Sequence, residues 1–187
     1  MQVYLDHAAT TPLRAEARDA WLDAHEVLGN PSSIHGAGQA ARRLLEDARD
    51  QLAEVLGCQP IEIVFTSGGT EAANLALKGL WWSRPEGTDA VVLPDGEHHA
   101  TLDVVGWLAT AEGSTVRAVP LDDLGRIDAE AFHTALPGAG LATALVANNE
   151  VGTLQDAAGL ARAASGAGVP LHLDAVSALG HVAVDFT

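Results

Sequence analysis

Two hydrophobic patterns alternate along the chain. Continuous apolar runs predict strands buried on both faces, and they lie at residues 61–65, 89–93, 115–121, 142–147 and 169–173. Between them, apolar residues recur every three or four positions, which predicts amphipathic helices at residues 14–28, 39–56, 70–82, 100–112, 129–136 and 155–167. The alternation predicts an α/β fold with a mostly parallel sheet covered by helices on both faces.

The first 35 residues stand apart from this alternation. Residues 3–5 form a short apolar strand or extended arm, and a helix follows. We therefore expect an N-terminal arm and helix at residues 1–35 and a large α/β domain at residues 36–187. Residues 181–186 are a candidate for the start of one more strand.

A glycine-rich stretch joins the predicted strand 61–65 to the predicted helix 70–82. Its sequence is Thr66-Ser67-Gly68-Gly69-Thr70-Glu71-Ala72-Ala73-Asn74. Glycine lets the backbone approach a ligand closely, and Thr70 is the expected N-cap. Free N–H groups at a helix start carry the positive end of its dipole and suit a phosphate group. The alternative is an ordinary glycine turn with an N-cap, since the stretch matches neither a Walker loop nor GxGxxG.

Composition limits the partners that this chain would bind. Hydrophobic residues make up 48% of the chain, enough for a sizeable core, and the net charge is −15. This charge argues against binding nucleic acid or an anionic membrane through bulk attraction. Cys58 is the only cysteine and the start of the chain has no signal-peptide pattern, so we expect a reducing, cytoplasmic location. Lys78 is the only lysine.

Polar residues follow four of the predicted strands. They are residues 67–70, 97–99, 148–150 and 174–177. Ligands of open parallel sheets bind beyond the carboxyl ends of the strands, so these clusters suggest one shared site. Taken singly, each cluster could instead be a solvated loop, a turn or a helix cap. A carboxylate at the end of a buried strand needs a cationic partner. The pyridinium of pyridoxal phosphate would be such a partner.

The sequence resembles the cysteine desulfurases, which belong to the class V aminotransferase group of fold type I pyridoxal-phosphate enzymes. The resemblance runs over essentially the whole chain. It is carried by Tyr4-Leu5-Asp6-His7-Ala8-Ala9-Thr10-Thr11-Pro12, Gly29-Asn30-Pro31-Ser32-Ser33, Ile63-Val64-Phe65, the glycine-rich stretch 66–74, Glu97-His98, Asn148-Asn149-Glu150-Val151-Gly152, Gln155-Asp156 and His172-Leu173-Asp174-Ala175. It implies that residues 36–187 are the cofactor-binding large domain, C-terminally incomplete.

The resemblance also implies roles for single residues. Gly69 and Thr70 would hold the phosphate of pyridoxal 5′-phosphate. His98 would stack on the pyridine ring and take part in proton transfer, as the catalytic residue of this part of the chain. Asn149 would donate to the phenolic oxygen, and Asp174 would pair with the pyridine nitrogen and keep it protonated.

Three further positions are implied less directly. The family usually has glutamine near the phenolic oxygen where this chain has Ser177, so that contact would be lost or made through water. Asn30 and His35 lie in a loop that lines the substrate side in relatives. Their alternative roles, as turn and helix-start residues, have equal support from the sequence.

The lysine that such an enzyme needs for its Schiff base has no counterpart in this chain. Lys78 follows Thr70 by eight residues, which places it roughly 12 Å along the helix from the phosphate cradle. We reject it as the anchor and interpret it as a solvated helix residue. In the family, the lysine and the sulfur-accepting cysteine come after the segment that this chain matches. Cys58 does not match the acceptor position and is interpreted as a partly buried structural thiol.

The resemblance implies a function for the complete entity. It would convert L-cysteine to L-alanine and leave the sulfur as an enzyme persulfide, as in iron–sulfur cluster assembly. The chain itself would be truncated, one part of a split enzyme, or a degenerate relative. Alternatives are another class V lyase, epimerase or aminotransferase, or a non-catalytic subunit that binds a partner. We expect an amino-acid substrate, a sulfur-acceptor protein, and a complementing chain or a second copy as in a dimer.

Overall fold

The computed structural model describes residues 3–184 and residue 186. The chain forms two compact units. One contains Met1–Phe65 together with Val184–Thr187, and the other contains Thr66–Ala183. The expected division into residues 1–35 and 36–187 stays a prediction. Within the described residues, no helix is long and apolar enough to cross a membrane.

The first unit consists of two helices and a short turn. Helix α1 spans Ala15–His25 and helix α2 spans Gly36–Leu56, while Pro60–Glu62 forms a single 3₁₀ turn. Gly57 ends α2 in the left-handed conformation, at φ 70°, which glycine adopts without a steric penalty. The predicted helices 14–28 and 39–56 are thus present with shifted ends. Residues 3–5 form no strand.

The second unit is built on a four-stranded sheet. The strands are β1 (Ala90–Pro94), β2 (Thr115–Val119), β3 (Leu141–Leu145) and β4 (Leu171–Asp174). Their order is β2-β1-β3-β4, and every neighbouring pair is parallel. Four of the five predicted apolar runs therefore form strands of one parallel sheet, as expected. All four strands end at the same edge, which brings the loops after them together.

Helices cover both faces of this sheet. Helices α3 (Gly69–Trp82) and α4 (His99–Ala111) pack on one face, and α5 (Ala129–Ala135) and α6 (Ala157–Ala167) pack on the other. Successive strand residues alternate between the faces: Val91 and Leu141 join the α3–α4 core, whereas Val92 and Ala142 join the α5–α6 core. The predicted architecture is confirmed.

The predicted strand at residues 61–65 is wrong. The Glu62 carboxylate accepts a hydrogen bond from the Gln59 N–H at 2.7 Å, and Pro60 occupies the first turn, so the chain coils there. Ile63 has an extended backbone, but residues 63–65 belong to no strand, and Val64 and Phe65 are exposed. An apolar run forms a strand only where a neighbouring strand takes its backbone hydrogen bonds.

The candidate strand at residues 181–186 is also wrong over its described part. An isolated bridge joins Leu179 to Val182, and residues 183, 184 and 186 belong to no element. Residues 185 and 187 lie outside the described residues. A single bridge satisfies too few backbone groups to continue the sheet.

Candidate functional site

The start of α3 presents free backbone donors at the end of the glycine-rich stretch. Gly68, not Thr70, is the N-cap residue, and no side chain caps it. The prediction of Thr70 as N-cap is therefore wrong, because the N-cap lies two residues earlier and the helix begins at Gly69. The first helical hydrogen bond joins the Ala72 N–H to the Gly68 oxygen at 3.1 Å. The N–H groups of Gly69, Thr70 and Glu71 precede it and have no acceptor within the helix.

Glu71 fixes the loop in front of these donors. Its Oε2 accepts from the Ser67 N–H at 2.7 Å and from the Ser67 hydroxyl at 2.6 Å. The hydroxyl bond is the larger of the two effects that lower the pKa of Glu71. The ionised carboxylate thus keeps Ser67 in place and leaves the N–H groups of Gly69 and Thr70 exposed.

The turn after β4 lies directly against the start of α3. A Cβ atom built on Gly69 would lie 2.8 Å from the Cγ2 atom of Val176, which is closer than real side chains approach. Any residue with a side chain at this position would have to displace the Val176 side chain. Glycine at position 69 therefore keeps the free helix donors beside the turn that carries Asp174 and Ser177.

Asp174 is a buried carboxylate at the end of β4. It is 8% exposed, and its Oδ1 accepts from the Val176 N–H at 2.9 Å. None of the ion pairs within residues 3–184 involves it. A buried carboxylate without a basic partner is costly, so this position fits a cationic group of a bound molecule. Ser177 is half-buried in the same turn.

His98 begins α4 with a fixed ring orientation. It is the N-cap residue, and its Nδ1 accepts from the Ala100 N–H at 3.1 Å. Because Nδ1 accepts, the proton of the neutral ring is on Nε2. The imidazole itself is exposed, so the Nε2–H is free to face a ligand.

A cavity of about 420 Å³ lies between the loops that follow β1 and β3. His98 and Asn149 both line it. Asn148 ties the two loops together, since its Nδ2 donates to the Gly96 oxygen at 3.0 Å. The Asn149 Nδ2 donates to the neighbouring Glu150 Oε1 at 3.1 Å. No role was predicted for Asn148, although it belongs to the 148–150 cluster.

Glu97 is a functional candidate that the sequence did not single out. It is 6% exposed, and its Oε1 accepts from the Leu145 N–H at 2.7 Å. Burial raises the pKa of Glu97 from 4.5 to about 7; the hydrogen bond from Leu145 lowers it, and the charge of Asp174 raises it further. The one available signal was its place before His98 at a strand end.

The candidate residues thus form two groups. His98 and Asn149 share the cavity, whereas Gly69 and Thr70 adjoin the turn of Asp174 and Ser177 but do not line that cavity. Glu97 links the groups: it lines the cavity, and its carboxyl group lies close enough to Asp174 for that charge to affect it. Residues from three strand ends therefore adjoin one another at one edge of the sheet.

Asn30 and His35 belong to the other unit. The Asn30 Oδ1 accepts from the Ser32 N–H at 2.9 Å, which stabilises a turn. The His35 Nδ1 accepts from the Gly38 N–H at 3.3 Å and caps α2. Both residues therefore have the local roles that were the alternative for them. Their predicted place on the substrate side stays a prediction.

Lys78 packs against an aromatic ring of α4, and Cys58 belongs to the other unit. The Lys78 ammonium lies 4.5 Å from the centre of the Trp107 ring on α4, a cation–π contact. Lys78 is half-buried, so its interpretation as a solvated residue is wrong. Cys58 is a half-buried free thiol just after Gly57.

Known proteins match this chain from end to end. The family model described as Aminotransferase class-V matches residues 3–187. The chain belongs to this class-V aminotransferase family. The resemblance to cysteine desulfurases is confirmed as well: an "IscS-like cysteine desulfurase" of Mycobacterium tuberculosis is 42% identical over 189 residues, a match that covers 98% of this chain and 48% of the relative.

Solved structures of known proteins share this fold. A "NifS-like protein" has a TM-score of 0.94 and 32% identity, with 100% of this chain and 52% of that chain covered. The structure "SspA in complex with cysteine" has a TM-score of 0.91 and 32% identity, with coverage of 97% and 53%. The chain thus spans about half the length of the relatives that it matches.

Proposed function

We propose that this chain is the N-terminal, cofactor-binding part of a pyridoxal-phosphate-dependent cysteine desulfurase. The observation that carries this proposal is the Asp174 carboxylate, buried and without a basic partner among the described residues. Its Oδ1 binds the N–H of Val176, and the side chain of Val176 lies against Gly69 at the start of α3, where the free N–H groups are. A carboxylate and a set of anion-binding donors suit the two charged ends of a phosphorylated pyridine.

The residues of the site fit pyridoxal 5′-phosphate. Gly69 and Thr70 would hold the phosphate with their backbone N–H groups, and Asp174 would pair with the protonated ring nitrogen through the oxygen that Val176 does not bind. When bound, the cofactor supplies a ring that takes up electron density from the bonds at the amino acid's Cα. Asp174 retains the proton on the ring nitrogen because a buried carboxylate favours a cation beside it.

His98 and Asn149 would complete the site from the cavity side. The imidazole of His98 would stack on the ring, with its Nε2 proton available for transfer to the substrate. The amide of Asn149 would donate to the phenolic oxygen, after release of its bond to Glu150. Ser177 is shorter than the glutamine usual at that position, so its hydroxyl would reach the same oxygen through a water molecule.

The reaction proposed for the complete protein breaks the C–S bond of L-cysteine. The sulfur passes to an acceptor thiolate as a persulfide, and L-alanine is released. The chain has one lysine, and Trp107 holds it. Cys58 is half-buried in the other unit, which does not suit a sulfur carrier. A further segment or a partner chain would therefore supply the anchoring lysine and the acceptor cysteine.

Exposed apolar side chains support such an association. Among the described residues of the first unit, four large apolar side chains are at least 80% exposed: Leu5, Leu28, Ile34 and Ile61. Apolar surface of this kind is usually covered in the complete assembly. A complementing chain or a second copy would cover it, and a sulfur-acceptor protein of iron–sulfur cluster assembly would then be a separate, cytoplasmic partner.

A completed enzyme tests this function. We would join the chain to the C-terminal half of the Mycobacterium tuberculosis relative and measure alanine formation from L-cysteine with pyridoxal phosphate, using the intact relative as the positive control. Alanine formation that Asp174→Ala abolishes is the expected result. Turnover that Asp174→Ala leaves unchanged would contradict the proposed site.

Ser177 favours one alternative, a class V lyase, epimerase or aminotransferase with another substrate. The shorter side chain would change the contacts next to the phenolic oxygen of a bound cofactor. The same chimera distinguishes this alternative, because it would release a racemised, deaminated or transaminated amino acid and no persulfide. A non-catalytic subunit would bind its partner but form no product from any amino acid.

A further inference from the structure

Glu97 is a buried carboxyl group to which the proposed cofactor contacts assign no role. Its Oε1 accepts from the Leu145 N–H, whereas its Oε2 is fully buried and has no hydrogen-bond partner among the described residues. An ionised carboxylate is strongly disfavoured when one of its oxygens is buried and accepts no hydrogen bond. A protonated Glu97 avoids burying a charge, and a proton on Oε2 leaves Oε1 as the acceptor for Leu145.

Hydrogen bonds connect Glu97 to Asp174 across two strands. Leu145, whose N–H Glu97 binds, lies opposite Asp174 in the pairing of β3 with β4. The next N–H, that of Val146, donates to the Asp174 backbone oxygen at 2.9 Å. The Asp174 side chain in turn accepts from the Val176 N–H. A displacement of Leu145 would therefore be transmitted to the carboxylate of Asp174.

We propose that Glu97 is a positioning residue for Asp174: its uncharged carboxyl group holds the carboxyl end of β3 beside β4 and leaves Asp174 as the negative charge of the pair. The inference rests on the proposed function only in its assumption that Asp174 binds a cofactor, and the contacts of Glu97 do not depend on that assumption. Two neighbouring carboxylates disfavour double ionisation, and Glu97 is the one with a fully buried oxygen that has no hydrogen-bond partner among the described residues.

Other titratable groups face the same region. They are Asp174 and His172 on β4, His98 and His99 at the start of α4, and Glu150 across the cavity. Burial is the largest cause of the raised pKa of Glu97, and Asp174 is the neighbour whose charge adds to it. Substitution of Glu97 by glutamine isolates its contribution, because glutamine keeps the acceptor for Leu145 and carries no charge.

Urea unfolding of the 187-residue chain between pH 4 and pH 8 tests the charge state. Glu97 keeps its proton up to about pH 7 in the folded chain and only up to about pH 4.5 in the unfolded chain. The folded state thus loses stability as the pH rises through this window. We expect the folded-to-unfolded ratio of the wild type, relative to Glu97→Gln, to fall on the order of 100-fold.

A matched variant controls for a general effect of charge removal. Glu86 is exposed in the same unit, so Glu86→Gln should run parallel to the wild type at every pH. Parallel curves for the wild type and Glu97→Gln would overturn the proposal, because they would mean that Glu97 titrates alike in the folded and unfolded chains.

Backbone amide NMR signals of the unliganded chain test the positioning itself. We expect Glu97→Ala to shift the signals of both Leu145 and Val176, and Glu97→Gln to leave both near their wild-type values. A shift confined to Leu145 would reduce Glu97 to a local structural role and overturn the proposal. If Glu97→Ala does not fold, the wild type decides: both signals should titrate with a midpoint near pH 7, and neither should do so in Glu97→Gln.

These measurements separate the inference from the proposed function. Binding of pyridoxine 5′-phosphate is measured on the same samples. A chain that does not bind it, yet shows the coupled Leu145 and Val176 signals, contradicts the cofactor site and leaves the role of Glu97 supported. A chain that binds it with uncoupled signals contradicts the role of Glu97 alone.

Discussion

Gly69 and Val176 meet where the start of α3 adjoins the turn after β4. The Cγ2 atom of Val176 occupies the space in which a side chain at position 69 would begin, 2.8 Å from an ideal Cβ atom. The contact places the free helix donors next to the turn that carries Asp174. It brings together the polar clusters at residues 67–70 and 174–177, and it gives a steric reason for a glycine at position 69.

We expect Gly69→Ala to destabilise the chain by about 1–3 kcal/mol, because the new methyl group overlaps Val176. Urea unfolding measures this loss. Gly79 is the matched control: it lies in the same helix with open space around it, so Gly79→Ala should stabilise the chain by up to about 1 kcal/mol. Val176→Ala combined with Gly69→Ala should recover most of the loss, and a double variant as unstable as the single one would refute the steric cause.

Asp174→Asn keeps an oxygen for the Val176 N–H but removes the negative charge. We expect pyridoxine 5′-phosphate to bind tenfold to a hundredfold more weakly, because a hydrogen bond to a charged group contributes about 1.5–3 kcal/mol. Isothermal titration calorimetry measures the affinity. Asp103→Asn changes an exposed aspartate of α4 and serves as the control. Equal affinities for the wild type and Asp174→Asn would disprove pairing with the ring nitrogen.

His172 should make the folded chain sensitive to acid. Its Nδ1 lies 2.9 Å from the Thr143 hydroxyl, and burial lowers the pKa of His172 below 6.5, against the charge of Asp174. The unfolded chain then binds the proton more readily, so the contribution of His172 to stability is retained above pH 6.5 and is lost as the pH drops below it. His172→Asn should lose less stability between pH 6.5 and pH 5 than the wild type.

Exposed His133 provides the comparison for that prediction. His133→Asn should retain the acid sensitivity of the wild type. If His172→Asn also retains it, the loss has another origin. As the pH falls, protonation of His172 lowers the stability of the folded chain, whereas protonation of Glu97 raises it. Over this range, the differences in stability between the wild type and the two single variants should therefore change in opposite directions.

Lys78 should react poorly with pyridoxal phosphate. Its ammonium lies over the Trp107 ring, away from the free donors of Gly69 and Thr70, so borohydride reduction should leave little adduct at this position. Mass spectrometry after proteolysis measures the adduct. Trp107→Ala releases the ammonium and should increase labelling several-fold. A stoichiometric adduct at Lys78 in the wild type would contradict our rejection of this lysine as the anchor.

The sheet was predictable from the sequence because burial on both faces leaves a pattern along single strands. The cap of α5 was predictable for a similar reason: the Asp128 carboxylate binds the N–H groups of Glu130 and Ala131, which are its neighbours in sequence. Local interactions of this kind can be recognised from the types of neighbouring residues in the sequence.

Contacts between residues far apart in the sequence could not be recognised in this way. The apolar residues 61–65 look like a strand, but the sequence does not reveal whether another strand pairs with them. The burial of Glu97 depends on Leu145, which is 48 positions away. The motif residue Gln155 likewise serves a distant turn, since it accepts from the Ile127 N–H and donates to the Gly125 oxygen. These partners became visible only when the fold brought them together.

Amide NMR of the 187-residue chain, titrated with pyridoxine 5′-phosphate, tests the shared site most directly. This compound has the phosphate and the pyridine ring but no aldehyde, so it requires no lysine. We predict that the signals of Gly69, Thr70, His98 and Asn149 shift together with one dissociation constant. In Asp174→Asn the binding should be weaker and this dissociation constant higher. Shifts absent from these residues, or equal affinity in both chains, would contradict a cofactor site at this edge of the sheet.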